Sequence, residues 1–369
     1  MSTTVAAGRR IDRAFSAKAV VDGREYLGFA GFGYLALTDI PEIRAAVADA
    51  LARGVAFSRV MPGAAHALDK EFDDVEEAGA RALNAERSLY FATGYMIGMV
   101  GLAALELGNA LLVIDEHAYT NLKDAATLSG LPVAAFRHCD ADSLAEAIRA
   151  QLKPGQKPVV ITDGVFGPTG RMPPLADYAS VLAPYGGRLL IDESHSFGTV
   201  GENGRGAAEL CGVESVATVG ATLSKAYCAH GALLACSAET AERLRNAAII
   251  RASSAGSPLS AAASSAALTY VDTRPEIRRA IRAMADHLRT KLAATGFDVT
   301  PGAGAIVSFA HGSADDMQNI RLKLAAKDIL IVYGAGYAST PPEGILRCSI
   351  FRDHSMADMD RLVDAIMSA

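Results

Sequence analysis

Residues 219–237 read VGATLSKAYCAHGALLACS, and Lys225 is the one formally charged side chain between Glu214 and Glu239. An ammonium among Ala, Gly, Ser, Thr and Leu is disfavoured by its apolar surroundings. Its pKa falls, and the free amine becomes a usable nucleophile toward a carbonyl partner. The segment therefore reads as a reactive lysine at the end of a buried strand, VATVGATL (216–223), with a second run, GALLACS, close behind.

Working outward, short β-rich runs alternate with helical patterns from about residue 88. SLYFA leads into a helix over 94–107, ALLVID (110–115) into one near 120–129, and VAAF (133–136) into one over 141–152. PVVITDGVF (158–166) is followed by a helix over 174–185 and then RLLIDES (188–194). Apolar runs separated by amphipathic helices predict an α/β fold with a mostly parallel sheet covered on both faces. The Ala/Ser-rich RASSAGSPLSAAASSAAL (251–268) then starts a helix. A long helix near 275–295, the runs AIVSFA, ILIVYG and ILRCSIF, and a closing helix near 355–367 predict a smaller α+β C-terminal domain. The expected division is an N-terminal segment 1–45, a large domain 46–255 and a small domain 256–369.

The chain has 369 residues, 50% hydrophobic and 21% charged, with a net charge of -6. No Lys/Arg stripe marks a nucleic-acid or anionic-membrane partner. Five cysteines with no C-x-x-C pair argue against a disulfide framework or a zinc site. No apolar run is long enough to span a bilayer, and MSTTVAAGRRIDRAF does not read as a signal peptide. The expectation is a cytoplasmic enzyme.

Open α/β sheets bind ligands at the carboxyl ends of their strands, and Asp163, Asp192 and Lys225 all fall there. Buried strand-end carboxylates are costly unless paired, and capping or mutual pairing is the plain alternative. In FATGYMIG, Thr93, Gly94 and Tyr95 stand where a strand turns into a helix, a place where backbone N–H groups hold phosphate. Thr222 could add a hydroxyl to the same phosphate. Asp192 could keep a ring nitrogen protonated, and His195 could bond a ring hydroxyl. Together with a lysine that captures an aldehyde, these features describe a site for pyridoxal 5'-phosphate (PLP).

TDGVFGPTGRMPPLADYASVLAPYGGRLLIDESHSFGTVGENGRG (162–206), followed by GATLSKAYCAHGALLACS (220–237), resembles the α-oxoamine synthases, which are fold-type I PLP-dependent transferases. The likeness runs from GYLALTDIPEI (33–43) to the C-terminus. It implies that Lys225 carries the cofactor as a Schiff base and moves the Cα proton. Asp192 would pair with the pyridine nitrogen and His195 with the ring oxygen. Thr222 and the Thr93–Tyr95 turn would hold the phosphate, and Asp163 is counted with the same site. Ser254 would reach the phosphate of a neighbouring subunit, implying a homodimer with shared active sites. Arg347, in GILRCSIF, would grip the amino-acid carboxylate, while His66 reads as structural.

Three departures from the family pattern stand out. Tyr119 occupies the place of the ring-stacking histidine, with His117 two residues earlier as a possible substitute. Gly167 stands where serine is usual, and GVAFSRVMPGAAH (54–66) is a shortened acyl-entrance loop. The resemblance implies decarboxylative condensation of an α-amino acid with an acyl thioester, on CoA or a carrier protein, to an α-amino ketone. The alternative is an aminotransferase, racemase or carbon–carbon lyase that needs no thioester.

Overall fold

The structure, a computed structural model, describes residues 10–13, 16–58, 70–251 and 256–368. Near the N-terminus, β1 (Ile11–Arg13), β2 (Lys18–Val21) and β3 (Arg24–Gly28) form an antiparallel ladder. The large sheet has seven strands: β4 (Arg87–Phe91), β5 (Ala110–Asp115), β6 (Val133–Phe136), β7 (Lys157–Asp163), β8 (Arg188–Asp192), β9 (Ala217–Thr222) and β10 (Ala232–Cys236). Their order is β4-β10-β9-β8-β7-β5-β6. The pairs β6–β5, β5–β7, β7–β8 and β8–β9 are parallel, whereas β10 runs antiparallel to both β9 and β4. Residues 223–231 are too few for a crossover connection, so the chain can only fold β10 back beside β9.

The central strands are buried on both faces, which is why they read as continuous apolar runs rather than alternating ones. In register, Asp163 of β7 stands opposite Asp192 of β8, and Asp192 opposite Gly220 of β9. The polar strand ends are therefore level with one another along one edge of the sheet.

Several elements are shorter than the sequence pattern suggests. The helix expected over 94–107 is a 3₁₀ turn, Gly94–Met96, running into Ile97–Ala104. It stops where Glu106 adopts a left-handed backbone with φ 48°. The helix expected over 174–185 ends at Leu182 and tightens into a turn containing Pro184. The strands expected to reach 166 and 194 end at Asp163 and Asp192, where the backbone turns and the carboxylates accept N–H donors, Asp163 that of Tyr119 and Asp192 that of Ser194.

The C-terminal region holds the helix Pro275–Ala294, β11 (Asp298–Val299), β12 (Ile306–Ala310), the helix Ala314–Ala326, β13 (Ile329–Leu330), β14 (Val332–Gly334), β15 (Ile345–Ser349) and the helix Met356–Met367. The last two helices begin with capping boxes, Ser313 with Asp316 and Ser355 with Asp358. The run ILIVYG, expected as one strand, breaks at Ile331. β13 pairs in parallel with β3, while β14 joins the sheet β11-β12-β15-β14. That break ties the first strands of the chain to its last third.

His354 sits at 7% exposure, its ring stacked on Phe29 with centroids 4.4 Å apart and its Nδ1 accepting the Phe351 N–H at 2.9 Å. Burial pushes its pKa down to about 4. The unfolded chain therefore binds this proton below about pH 6.5 while the folded chain does not. The corresponding stability is present above that pH and is lost as pH falls toward 4. Urea unfolding from pH 7 to 4 should lose about 3 kcal/mol through this group, and His354→Asn should flatten that slope. An unchanged slope in the variant would contradict the assignment.

Candidate functional site

Lys225 follows β9, and His195 lies in the turn after β8. Because β8 and β9 are paired neighbours, these two turns meet, and Lys225 Nζ lies 2.7 Å from His195 Nε2. His195 Nδ1 is 2.8 Å from the Tyr34 hydroxyl, to which Arg347 Nη2 donates at 3.1 Å. Arg347, on β15 and 5% exposed, also donates through Nε to the Gly167 carbonyl at 2.8 Å and through Nη1 to Ser349 Oγ at 3.0 Å. Phe32 covers the group, its ring 6.0 Å from Lys225 Nζ and 5.0 Å from the Arg347 guanidinium.

These charges explain the protonation states. Burial, then the cations Lys225 and Arg347, hold His195 well below the ordinary histidine range. A neutral imidazole that accepts from Lys225 at Nε2 carries its proton on Nδ1, facing the tyrosine. Burial lowers the pKa of Lys225, offset in part by Asp192 and Asp163. Burial and the adjacent Asp192 push the Asp163 carboxyl well above the usual range.

Asp192, 4% exposed, accepts from Asn121 Nδ2 at 3.0 Å and from the Ser194 N–H at 2.9 Å. Asp163 accepts the Tyr119 N–H at 2.9 Å. The Tyr119 ring centre is 5.9 Å from Lys225 Nζ, and the Tyr119 and Tyr337 rings meet edge to face with centroids 6.3 Å apart. At the 93–96 turn, Thr93 Oγ1 accepts the Tyr95 N–H. Gly94 packs directly on Thr222, where a Cβ would come within 2.7 Å of the threonine side chain. The Thr222 hydroxyl lies 3.1 Å from the Gly231 carbonyl and 2.9 Å from Ser224 Oγ.

Lys225, His195, Asp163, Tyr119, His117, Gly167 and Arg347 line one cavity of about 450 Å³. Asp192 lies beside Asp163 in the sheet, and Gly94 is linked to Asn121 by a bond to its carbonyl. The structure thus gathers every described residue singled out from the sequence into this cavity or onto the strand ends next to it. Ser254 and His66 lie outside the described residues, as does most of the shortened loop.

A profile of the aminotransferase class I and II family matches residues 40–366. The 8-amino-7-oxononanoate synthase of Thioalkalivibrio sulfidiphilus is 31% identical over 94% of this chain and 89% of its own length. That of Burkholderia thailandensis is 32% identical over 98% of this chain and 93% of its own. The chain is an α-oxoamine synthase, a PLP-dependent acyltransferase. Among solved structures, the serine palmitoyltransferase of S. paucimobilis superposes with a TM-score of 0.88 at 22% identity, covering 98% of this chain and 91% of that one. The 8-amino-7-oxononanoate synthase of Francisella tularensis gives 0.77 at 20% identity, covering 93% and 97%. At those identities the likeness establishes the shared fold-type I architecture.

As an α-oxoamine synthase, this chain shows a physical reason for one of its departures. A Cβ built on Gly167 would lie 2.3 Å from His195 Nε2. Glycine at this position leaves room for the imidazole to reach Lys225. Gly167→Ser should displace the ring and lower kcat by about ten- to a hundredfold, with little loss of melting temperature. Unchanged kinetics would show that the ring has another place to go.

Sequence reasoning missed Tyr34, Asn121, Phe32 and Ser194. Asn121 left a faint trace as a buried amide, 2% exposed, in the first turn of the helix Thr120–Leu128. Tyr34 and Phe32 left none, because nothing in FGY (32–34) shows that it folds back over the sheet edge.

Proposed function

We propose that this α-oxoamine synthase condenses an α-amino acid with an acyl thioester, releasing carbon dioxide and the thiol and leaving an α-amino ketone. The observation that carries this reading is the convergence of a half-buried amine, Lys225, and a buried guanidinium, Arg347, on one cavity that also borders the Asp163–Asp192 pair.

The residues present fit PLP. Asp192 offers a carboxylate held by Asn121, whose own Oδ1 is buried without a partner among the described residues. The Gly94–Tyr95 backbone and Thr222 offer a phosphate corner, with Ser254 of a second subunit as a further candidate. When bound, PLP supplies an aldehyde for amine capture and an electron sink for the bond broken at Cα. Lys225 takes and returns the Cα proton; its lowered pKa suits that work near neutral pH. His195, kept neutral by its cationic neighbours, accepts a hydrogen bond rather than repelling the lysine. Arg347 binds the amino-acid carboxylate through the second hydrogens of its Nη atoms, aimed by Gly167, Ser349 and Tyr34. Tyr119 offers a ring face where an imidazole is usual. Phe32 places its ring beside both the lysine and the arginine.

The test is the visible spectrum of the purified PLP-bound protein with a panel of amino acids, with and without acyl-CoA. The expected result is an amino-acid-dependent spectral change, with free thiol and carbon dioxide appearing in equal amounts only when thioester is added. Conversion of the cofactor to its pyridoxamine form, indifferent to thioester, would overturn the reading in favour of an aminotransferase.

A homodimer is proposed for the active unit, since the reading of Ser254 requires a second chain; light scattering checks it. A reducing compartment such as the cytoplasm suits five cysteines that are all free. No helix among the described residues is long and apolar enough to cross a membrane.

A further inference from the structure

The strands β5 and β6 are parallel neighbours, and Asp115, the last residue of β5, stands in register with Phe136 at the end of β6. The turn after β6 brings His138 and Cys139 against Asp115. One ligand atom from each of the three lies within 4.8 Å of the other two. No C-x-x-C spacing announces this group, because its members sit on two strand ends that only the sheet makes neighbours. The group stands apart from the wall of the lysine's cavity, to which the turn after β5 contributes His117 and Tyr119.

The spacing suits a four-coordinate cation. His138 Nδ1 is 3.0 and 3.2 Å from the two Asp115 oxygens, and Cys139 Sγ is 3.7 Å from the same nitrogen. Tetrahedral zinc, with bonds of about 2.0–2.3 Å, holds its ligand atoms roughly 3.3–3.6 Å apart. Asp115 is fully buried, and the His117 and Cys139 N–H groups donate to its two oxygens at 2.8 and 3.0 Å. Such donors fix a carboxylate as outer hydrogen bonds fix a metal ligand.

His117 supplies a second, independent observation. Its ring stacks on His138 with centroids 4.7 Å apart, and its Nδ1 is buried with no partner among the described residues. A water on the fourth position of a metal held by the other three would supply that partner. The backbone does not account for the cysteine, which adopts a left-handed φ of 55° where Gly, Asn or Asp is easier. Burial, then the neighbouring Asp115, pushes the Cys139 thiol up to about 12. A cation reverses that preference, since a coordinated thiol gives up its proton.

We propose that Asp115, His138 and Cys139 form a binding site for Zn²⁺, with water in the fourth position. Sulfur, imidazole and one carboxylate select a borderline-soft ion over Mg²⁺ or Ca²⁺, which take oxygen ligands. On binding, the metal takes the place of the hydrogen between Nδ1 and Asp115, and the ring keeps its proton on Nε2. The Cys139 thiol releases its proton to the buffer as the Zn–S bond forms. The ion ties the turn after β5 to the turn after β6 and steadies the segment that carries His117 and Tyr119. No step of the condensation passes through it.

The experiment uses the PLP-bound protein, freed of metal with a chelator. It compares wild type with Cys139→Ser and, as a thiol control, Cys236→Ser. Calorimetry with Zn²⁺ at about pH 8, where an ordinary histidine is neutral, is run in two buffers of different ionisation enthalpy to count protons. Co²⁺ then reports the ligands through its spectrum. Wild type should bind a single zinc and release about one proton with it. Cobalt should give the strong visible bands of a four-coordinate site together with a thiolate band in the near ultraviolet. Cys139→Ser should bind at least about tenfold more weakly, release no proton and lose the thiolate band, while Cys236→Ser should match wild type. Zinc should raise the melting temperature of wild type and of Cys236→Ser, but not that of Cys139→Ser.

Equal zinc affinity in wild type and Cys139→Ser, or a cobalt spectrum without the thiolate band, would overturn the proposal. So would an equal loss in both serine variants, which would mark capture by whichever thiols zinc can reach. Failure of the condensation reading would leave these results unchanged, because none of them measures turnover.

Discussion

Lys225→Ala is expected to abolish the visible absorption band of lysine-linked PLP and to lower kcat by about 10⁴-fold, the upper range for a lost proton-transfer group. The melting temperature of the cofactor-free protein should hold or rise. In wild type burial lowers the pKa of the amine more than Asp192 and Asp163 raise it, with a neutral acceptor, His195, at 2.7 Å, and removing a poorly solvated cation relieves a cost rather than adding one. The paired measurement separates chemistry from folding. A variant that keeps both the band and the turnover would remove Lys225 from the site, whereas a variant that loses the band along with its fold would show that the lysine is structural. The effect should be larger than that of Gly167→Ser, because the serine displaces His195, whereas alanine removes the amine itself.

Glu193→Ala should produce the largest loss of stability among the site's neighbours, about 2–4 kcal/mol, read as a fall in the urea midpoint at constant slope. Glu193 is fully buried between Asp192 and His195 in sequence. Its carboxylate accepts the Ala207 and Ala208 N–H groups at 2.8 and 2.7 Å, and the Ser196 hydroxyl bonds to it as well. It therefore staples the turn after β8 to the first turn of the helix Ala207–Cys211. Burial pushes its pKa up to about 7, against the pull of those donors. Alanine would leave two buried backbone donors without acceptors, each costing far more than the net worth of the bond it had made. The same change should weaken cofactor retention, because Asp192 and His195 flank the residue that anchors their turn. A midpoint within the error of wild type would show that Ser196 or an entering water replaces the carboxylate.

Much of this site was legible in the chain because its parts are local. Lys225 stood out for being charged in a segment that otherwise has no charge. Asp163, Asp192 and the 93–95 turn stood out because a polar residue ending a buried strand has few other reasons to be there. Once the strands were placed, parallel neighbours had to bring those ends level, and the register of Asp163, Asp192 and Gly220 follows from the pleat. Element ends were less legible. Whether a helix continues past Ala104 depends on one left-handed residue, Glu106, that carries no glycine to announce it.

By itself, the sequence determined the α/β class through its periodicity, and the family and cofactor through motifs that resemble the α-oxoamine synthases; it singled out Lys225 as a candidate because strand-end chemistry is written in neighbouring residues. Only the tertiary structure decided what faces that lysine. Tyr34 and His195 are 161 positions apart, and Tyr34 and Arg347 are 313 apart. Val21 and Leu330 line the same cavity, and β13 pairs with β3 where ILIVYG breaks at Ile331. Contacts between segments so far apart are set by how sheets and helices pack as a whole. No local pattern encodes them.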